Sequence, residues 1–564
     1  MPPETERPGL FRARSMCLVS LAVATLAAWL MACGGGESPR GGKTGATPPP
    51  AEGRPSLAVL IVVDQLRADY LTRFKSRLEG GMLRLEREGL SFADALHEHA
   101  NTQTSPGHAS LSTGMPPSRH GIIGNRWYDR ASAQMVGCVQ DAAYPTLSGR
   151  GGVSPSQLLA PTLGEWIKKA SPQSRVIAVS GKETASTLLA GRGADAVFWY
   201  DRIAGRFTTS RFYAQEMPAT LETFAKARPV SALACKAWDR LDGAGDLPEA
   251  DPDIEPWEPA AFGGFPHRMP CPDSSAPAAS PGSIAQGLES EIRITPFLDD
   301  MTLDLAEAAI DQYELGKDGA PDLLAISLSA TDFIGHRYGP DSQEMLDQIR
   351  RLDKRLGLFL ERLDRRVGLD RTIVVLTGDH GVTSCPERNP AHHAGRVHAA
   401  DLERRLQDAM AARLGPGQWV AAIEGPQVYL TDTSGRSAPA AYDALVKEPS
   451  VAAVYRREEL VGGASVTADS YLPLMRASWT PQRGGDLMIR LKEGWILSDN
   501  ETGSEHGMPY PADMHVPLIL RGPGIKAGSR PEPVLVYRAA PSIASLLGMS
   551  WPGNLPAGPL PIAP

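Results

Sequence analysis

Three short apolar runs, far apart in the chain, each lead into an acidic side chain, two of them with an imidazole close behind, and no other feature constrains the fold as tightly. Leu57–Val63 (LAVLIVV) ends in Asp64, and Asp322–Leu328 (DLLAISL) is followed by Asp332 and then His336. The run at 372–376 (TIVVL) leads through Thr377 and Gly378 to Asp379 and His380. Continuous β-rich runs of this kind read as strands of a parallel sheet buried on both faces. Ligands of such sheets bind just beyond the carboxyl ends of the strands. The pattern therefore predicts an α/β fold, a mainly parallel central sheet with helices on both faces, that gathers distant acids and imidazoles at one sheet edge. With Thr104 and His506 these residues form a set of candidate metal-binding side chains, and the chain reads as a metalloenzyme.

The 564 residues can bury a large core. A net charge of −8, without a basic stripe, argues against a nucleic-acid partner. At the N-terminus, Arg12 and Arg14 precede an apolar stretch at 16–32 that closes as Leu30-Met31-Ala32-Cys33. A basic region, a short apolar region and a small residue before the cut describe a secretory signal. The cysteine after that cut resembles a bacterial lipobox. Residues 1–33 are thus expected to be a lipoprotein signal peptide with Cys33 as the acylated residue, and the Gly/Pro-rich 34–55 a flexible tether. The expected location is the bacterial periplasm or outer membrane, with membrane contact only through the lipid anchor. Of the six cysteines, Cys17 and Cys33 belong to this leader; Cys138, Cys235, Cys271 and Cys385 remain and could form two disulfides.

Residues 56–564 read as one catalytic domain. A helix is expected at 162–170 and a strand at Val176–Ser180, which delivers Gly181 and Lys182. Residues 202–295 turn aromatic, Pro-rich and irregular, and are expected to form an insertion folded over the active edge as a lid or pocket wall. Helical spacing resumes at 298–313. Asp341-Ser342-Gln343-Glu344 has the pattern of a capping box, opening a long amphipathic helix whose Met345, Ile349, Leu352, Leu356, Phe359 and Leu363 face the core. Residues 415–492 read as a small α/β subdomain, 516–520 as a return to the main sheet, and 539–547 as a terminal helix.

Asp332 with His336, at i and i+4, and Asp379 with His380 supply hard oxygen and borderline nitrogen donors, which suit zinc or a similar divalent ion. Thr104 precedes Ser105-Pro106-Gly107-His108 and a predicted helix, where the dipole and free N–H groups favour an alkoxide and a phosphoryl oxygen. Its hydroxyl is a poor nucleophile unaided and needs activation.

These motifs resemble the alkaline phosphatase superfamily, and within it the phosphate-irrepressible (PafA-type) bacterial alkaline phosphatases, with type I phosphodiesterase/nucleotide pyrophosphatase relatives. The matching segments are Val62-Val63-Asp64-Gln65-Leu66-Arg67, Thr104-Ser105-Pro106-Gly107-His108, Gly121-Ile122-Ile123-Gly124-Asn125, Thr331-Asp332-Phe333-Ile334-Gly335-His336, Gly378-Asp379-His380-Gly381 and Glu505-His506-Gly507. The resemblance implies two Zn2+ ions or other divalent ions. Asp64, Asp379, His380 and the Thr104 oxygen would hold one; Asp332, His336 and His506 would hold the other. It also implies Asn125 and Lys182 as phosphoryl-binding residues and a phosphothreonine intermediate on Thr104. His515 competes with His506, but the family pattern favours the histidine before glycine, so His515 is expected behind the ligands. His392, His393 and His398 are expected to be loop residues.

One departure stands out: Lys182-Glu183-Thr184 replaces the Lys-x-Arg of the family's monoesterases. The bidentate grip of an arginine on a phosphate dianion is absent at Thr184. The expected function is metal-dependent hydrolysis of a small phosphoester, first a phosphate monoester. The alternatives are a phosphodiesterase or nucleotide pyrophosphatase with the same two-metal site, and a non-catalytic metal- or phosphate-binding lipoprotein.

Overall fold

The structure is a computed structural model that describes residues 54–149, 151–241, 243, 245–261, 263–271, 287–388, 394–462 and 469–562. The expected signal segment, Cys33, most of the tether, His392 and His393 lie outside the described residues. Among those described, no helix is long and apolar enough to cross a membrane.

The apolar runs become the middle of a nine-stranded sheet. In chain order its strands are β1 (Leu57–Val63), β2 (Leu90–Phe92), β3 (Val176–Ser180), β4 (Ala196–Asp201), β5 (Arg206–Thr208), β6 (Asp322–Leu328), β7 (Thr372–Gly378), β8 (Leu518–Arg521) and β9 (Gly528–Arg530). Their spatial order is β5-β4-β3-β6-β1-β7-β8-β2-β9. The five from β4 to β7 run parallel. β5 and β8 are antiparallel to their neighbours.

Every residue of β1, β6 and β7 is buried. Successive side chains of β1 alternate between two cores, Leu57, Val59, Ile61 and Val63 into one and Ala58, Leu60 and Val62 into the other. That is why the strand needs apolar residues at every position. Truncating Ile61 to alanine would cost about 2–5 kcal/mol.

Helices cover both faces. α1 (Thr104–Thr113), α2 (Leu163–Ala170), α3 (Glu183–Ala190) and α7 (Ala539–Leu546) pack on one, while α4 (Pro296–Gln312), α5 (Ala330–Tyr338) and α6 (Gln343–Arg366) pack on the other. Thr162 and Glu165 close a capping box on α2. The capping box expected at 341–344 does not form. Ser342 is the cap, and its hydroxyl accepts from the Met345 amide, which places Met345 where a reciprocal glutamate would stand. Glu344 instead lies against His267 at 2.8 Å, and Asp341 pairs with Arg73 at 2.5 Å.

A second sheet, all antiparallel, is built from Val420–Glu424, Gln427–Leu430, Leu487–Leu491 and Val451–Arg456. Its core includes Met508 and Tyr510, so it supports the loop that carries His506. Within 202–295, Trp238 is buried against α6, where its indole N–H donates to Asp347 at 2.7 Å. Arg202, Ile203 and Arg293, from the ends of that segment, border the active-edge cleft.

The expectation of two disulfides is corrected to one. Cys235 and Cys271 are bonded. Cys138 and Cys385 are buried thiols, each packed in its own niche: Cys138 donates to the Ser105 hydroxyl at 3.0 Å, and Cys385 sits under the Gly339 backbone.

Candidate active site

Strand register assembles the site. Val63 pairs with Leu328 on one side and Gly378 on the other, so Asp64 and Asp379 leave the sheet at the same level. Ser180 pairs with Ser327, which brings Lys182 to the same edge as the cap of α3. α1 starts at Thr104 and crosses so close to the end of β7 that a Cβ on Gly107 would run into the Asp379 carbonyl oxygen. The loop at 502–510 brings in His506.

The seven side chains converge as two clusters. In one, the His336 Nε2 lies 3.1 Å from Asp332 Oδ1 and 3.2 Å from His506 Nε2, and His506 Nε2 is 3.5 Å from the same Asp332 oxygen. In the other, His380 Nε2 is 3.5 Å from Asp64 Oδ1, 3.4 Å from Asp379 Oδ2 and 3.5 Å from Thr104 Oγ1. Donors held about 2.0–2.2 Å from a tetrahedral zinc lie roughly 3.2–3.6 Å apart. The distances to His336 Nε2 and His380 Nε2 lie close to that spacing, and Asp332 groups with Asp64 and His380 as well as with His336 and His506.

The tautomers agree. His336, His380 and His506 each direct Nδ1 at a backbone carbonyl, of Ser504 at 2.9 Å, Gly381 at 2.8 Å and Thr102 at 2.6 Å. Each therefore donates from Nδ1 and turns its Nε2 inward, the edge that metal-binding histidines present. Outside the cluster, Asp64 Oδ1 is buried without a hydrogen-bond partner, Asp64 Oδ2 faces only the Lys182 ammonium at 2.7 Å, and Asp379 Oδ2 only His108 Nδ1 at 3.1 Å. Buried oxygens of this kind call for a cation, so the donor set fits divalent metal.

The electrostatics are those of crowded, desolvated acids. Burial, then the nearby Asp379 charge, pushes the Asp64 carboxyl well above the usual carboxylate range. Burial pulls His380 down to about 3, which keeps its ring neutral. For His336 burial works against protonation, but the Asp332 and Glu505 carboxylates outweigh it and raise the ring to about 10. The Lys182 ammonium lies 2.7 Å from Asp64, 2.5 Å from Asp332 and 3.2 Å from the Thr104 hydroxyl.

The residues expected to bind the phosphoryl group lie on other supports. The Asn125 Oδ1 accepts the Ser105 amide at 2.9 Å, and the Asn125 N–H donates to Gln103 at 2.9 Å. Asn125 therefore turns its Nδ2 amide toward a cleft of about 950 Å³ that Lys182, Thr184, Arg202, Arg293 and Phe333 also line.

His515 is corrected: it lies 3.5 Å from Asp94 and is 40% exposed, rather than behind the ligands. The strand it precedes starts at Leu518, and its own backbone bridges to Leu96, in a two-stranded ribbon apart from the nine-stranded sheet. His398 caps the helix Ala399–Leu414 and lies 3.6 Å from Glu501.

Sequence reasoning missed four supports. Gln65 takes a left-handed turn, with φ of 66°, that lets its amide reach Asp379 at 3.0 Å and its side chain reach Asp332 at 2.9 Å. His108 Nδ1 lies 2.8 Å from the Thr104 carbonyl and 3.1 Å from Asp379. Both residues stand inside quoted motifs, which was the available signal. Asp513 accepts the Gly507 and Met508 amides, each at 3.0 Å, and so holds the His506 loop. Arg293 comes from the irregular segment. Neither of these last two had a signal in the sequence.

Comparison with known proteins agrees with this architecture. The chain is 32% identical to alkaline phosphatase PafA of Elizabethkingia meningoseptica over 92% of its own length and 95% of that protein's. It is 30% identical to alkaline phosphatase PhoV of Synechococcus elongatus over 90% and 92% of the two chains. A crystal structure of wild-type PafA superposes with a TM-score of 0.80 at 30% identity, covering 91% of this chain and 99% of that one. A murine ectonucleotide pyrophosphatase/phosphodiesterase 5 structure, 16% identical with a TM-score of 0.52 over 88% and 96% of the two chains, shares the fold alone. The family model for type I phosphodiesterase / nucleotide pyrophosphatase matches residues 58–512, a span that contains all seven clustered side chains. The chain belongs to that family.

Proposed function

We propose that this chain is a divalent-metal phosphoester hydrolase that acts first on phosphate monoesters, through a phosphothreonine at Thr104. The observation that carries this reading is the position of the Thr104 hydroxyl. It lies at tetrahedral-edge distance from His380 Nε2, within reach of the Lys182 ammonium, and at the start of α1. The similarity to named alkaline phosphatases over nine-tenths of the chain supports it.

When bound, zinc or a like divalent ion supplies Lewis-acid charge at the Thr104 oxygen and at the leaving oxygen. Asp64, Asp379, His380 and Thr104 would hold one ion, and Asp332, His336 and His506 the other; carboxylate and imidazole donors favour zinc. The chain's own residues do the rest. The Thr104 hydroxyl loses its proton to solvent and its oxygen bonds to phosphorus as the ester P–O bond breaks and the leaving oxygen takes up a proton; water then breaks the threonine–phosphate bond, which releases inorganic phosphate and restores the hydroxyl. Lys182 neutralises charge beside the attacking oxygen, and the Asn125 Nδ2 amide orients an equatorial phosphoryl oxygen. The α1 amides and dipole add to this stabilisation.

A phosphodiesterase is the second reading, favoured by one observation. Thr184, short and uncharged, lines the cleft where the family's monoesterases carry an arginine, which leaves room beside it for a second ester substituent. The deciding experiment compares kcat/KM of metal-loaded protein on an aryl phosphate and a bis-aryl phosphodiester. A monoester preference supports the first reading; a large diester preference replaces it with the second. Export and acylation at Cys33 belong to the same proposal, on the strength of the leader at 12–33. Cys33→Ala would then shift the protein from the membrane fraction to the soluble one, and an unchanged distribution would remove the anchor.

A further inference from the structure

The cleft lined by Asn125 and Lys182 also holds a cation that the motifs do not account for. Arg293 sits on the single 3-10 turn Ile292–Ile294, at the end of the irregular segment. Its flanks are pinned. Ile292 is fully buried, Glu291 pairs with Arg337 of α5 at 2.7 Å, and the Glu289 carbonyl accepts the Tyr200 hydroxyl at 3.0 Å. The Arg293 guanidinium carbon lies 4.0 Å from the centroid of the Phe333 ring, and the Lys182 ammonium lies 4.9 Å from the same centroid. The two cations are thus no farther apart than those lengths combined. Both cations line the one cleft, with Asn125 and Thr184.

Among the described residues Arg293 has neither a hydrogen bond nor an ion pair; its one partner is the Phe333 ring. It is half-buried. Burial, then the neighbouring Arg202, lowers its pKa, and Glu183 and Asp332 offset this only in part. A desolvated guanidinium beside another arginine is stabilised by an anion. Its planar fork matches two phosphate oxygens. Thr184, short and uncharged, lines the same cleft and leaves it room.

We propose that Arg293 is the phosphate-gripping residue of this cleft, a guanidinium delivered from the irregular segment in place of the one missing at 184, selecting monoester dianions over diester monoanions. This rests on the phosphoester-hydrolase reading of the site. A monoester offers one more charged oxygen than a diester, and a bidentate contact exploits that difference.

The test uses zinc-loaded wild type, Arg293→Ala, Arg293→Gln, Arg293→Lys and the double variant Arg293→Ala/Thr184→Arg. Aryl phosphate and bis-aryl phosphodiester hydrolysis are measured, with calorimetric binding of inorganic phosphate. Arg293→Ala is expected to lower monoester kcat/KM about 30- to 100-fold and the diester value less than about 3-fold. Phosphate affinity falls with the monoester rate, and metal content stays unchanged. Arg293→Lys recovers part of the loss, and Thr184→Arg in the alanine background recovers most of it. Arg293→Gln keeps a stem over Phe333 and repeats the alanine result if packing is not the cause. Equal losses on both esters, or an unchanged monoester rate and phosphate affinity, overturn the proposal. A wild type that prefers diesters would overturn the monoesterase reading while leaving the selective effect of Arg293 measurable. A wild-type monoesterase indifferent to Arg293 overturns this inference alone.

Discussion

The metal side and the phosphate side of the site differ in what holds them. Asp64 and Asp379 leave adjacent parallel strands whose register is set by continuous burial on both sheet faces. Asp332 and His336 stand on α5 just past β6, and each clustered histidine is locked by a carbonyl. On the phosphate side Lys182 is a helix cap, Asn125 hangs from the start of α1, and Arg293 comes from an irregular segment. The first region is over-determined, so a change there disturbs the sheet as well as the chemistry. The second hangs from loops and helix ends, which change with little cost to the core. On the proposed reading, substrate choice can therefore vary while the reaction type stays fixed, with Thr184 as one position where it would.

Substitutions should separate the two sides. Thr104→Ala is expected to lower turnover by at least about 1,000-fold with metal content retained, since the nucleophile is lost and the carboxylates and imidazoles remain. Residual turnover near wild type would remove Thr104 from its role. His506→Ala is expected to release one metal equivalent and cost about 100- to 1,000-fold, read by metal analysis alongside kinetics. Gly335→Ala tests the support behind the metals, because the added Cβ would run into Gln65 Oε1, whose amide group also holds Asp332. About a 10- to 100-fold loss in both ester activities together is expected; a loss confined to one ester would break the division drawn here.

On the phosphate side, Thr184→Arg is expected to leave monoester kcat/KM within about 3-fold while Arg293 supplies the guanidinium, and to raise it selectively, by about 10-fold or more, in the Arg293→Ala background. An equal or adverse effect on both esters in that background would show that position 184 does not occupy the arginine's role. The smallest effect lies away from the chemistry. Burial, then the Glu344 charge, raises the Glu258 carboxyl to about 9. The folded state therefore keeps a proton that the unfolded chain releases near pH 4.3, and stability falls as pH rises from there toward 9. Glu258→Gln removes that penalty. Its Tm should exceed wild type by a few degrees at pH 9 and match it at pH 5, and a pH-independent difference would contradict the assignment.

The metal side was legible in the sequence because burial on both sheet faces leaves runs such as LAVLIVV, and the acids stand where those runs stop. Thr104, Asn125 and Lys182 were legible only through motifs shared with a family. Other features were not legible because they depend on contacts across long stretches of chain. Arg293 meets a ring from a helix forty residues on, and Asp513 holds a loop through backbone amides, which any acid in reach could do. The cap of α6 sits one residue from the expected register, since Ser342 and Asp341 are both good caps and tertiary partners choose between them. Cysteine parity suggested two disulfides, but parity says nothing of distance, and Cys138 and Cys385 are each enclosed separately.

The most direct test of the account is acid-quench trapping of the zinc-loaded enzyme during turnover of an aryl phosphate, with peptide mass spectrometry. The account predicts a single phosphoryl group on the peptide containing Thr104, and none in Thr104→Ala. Steady turnover with no phosphopeptide, or with the phosphoryl group on another residue, would contradict it.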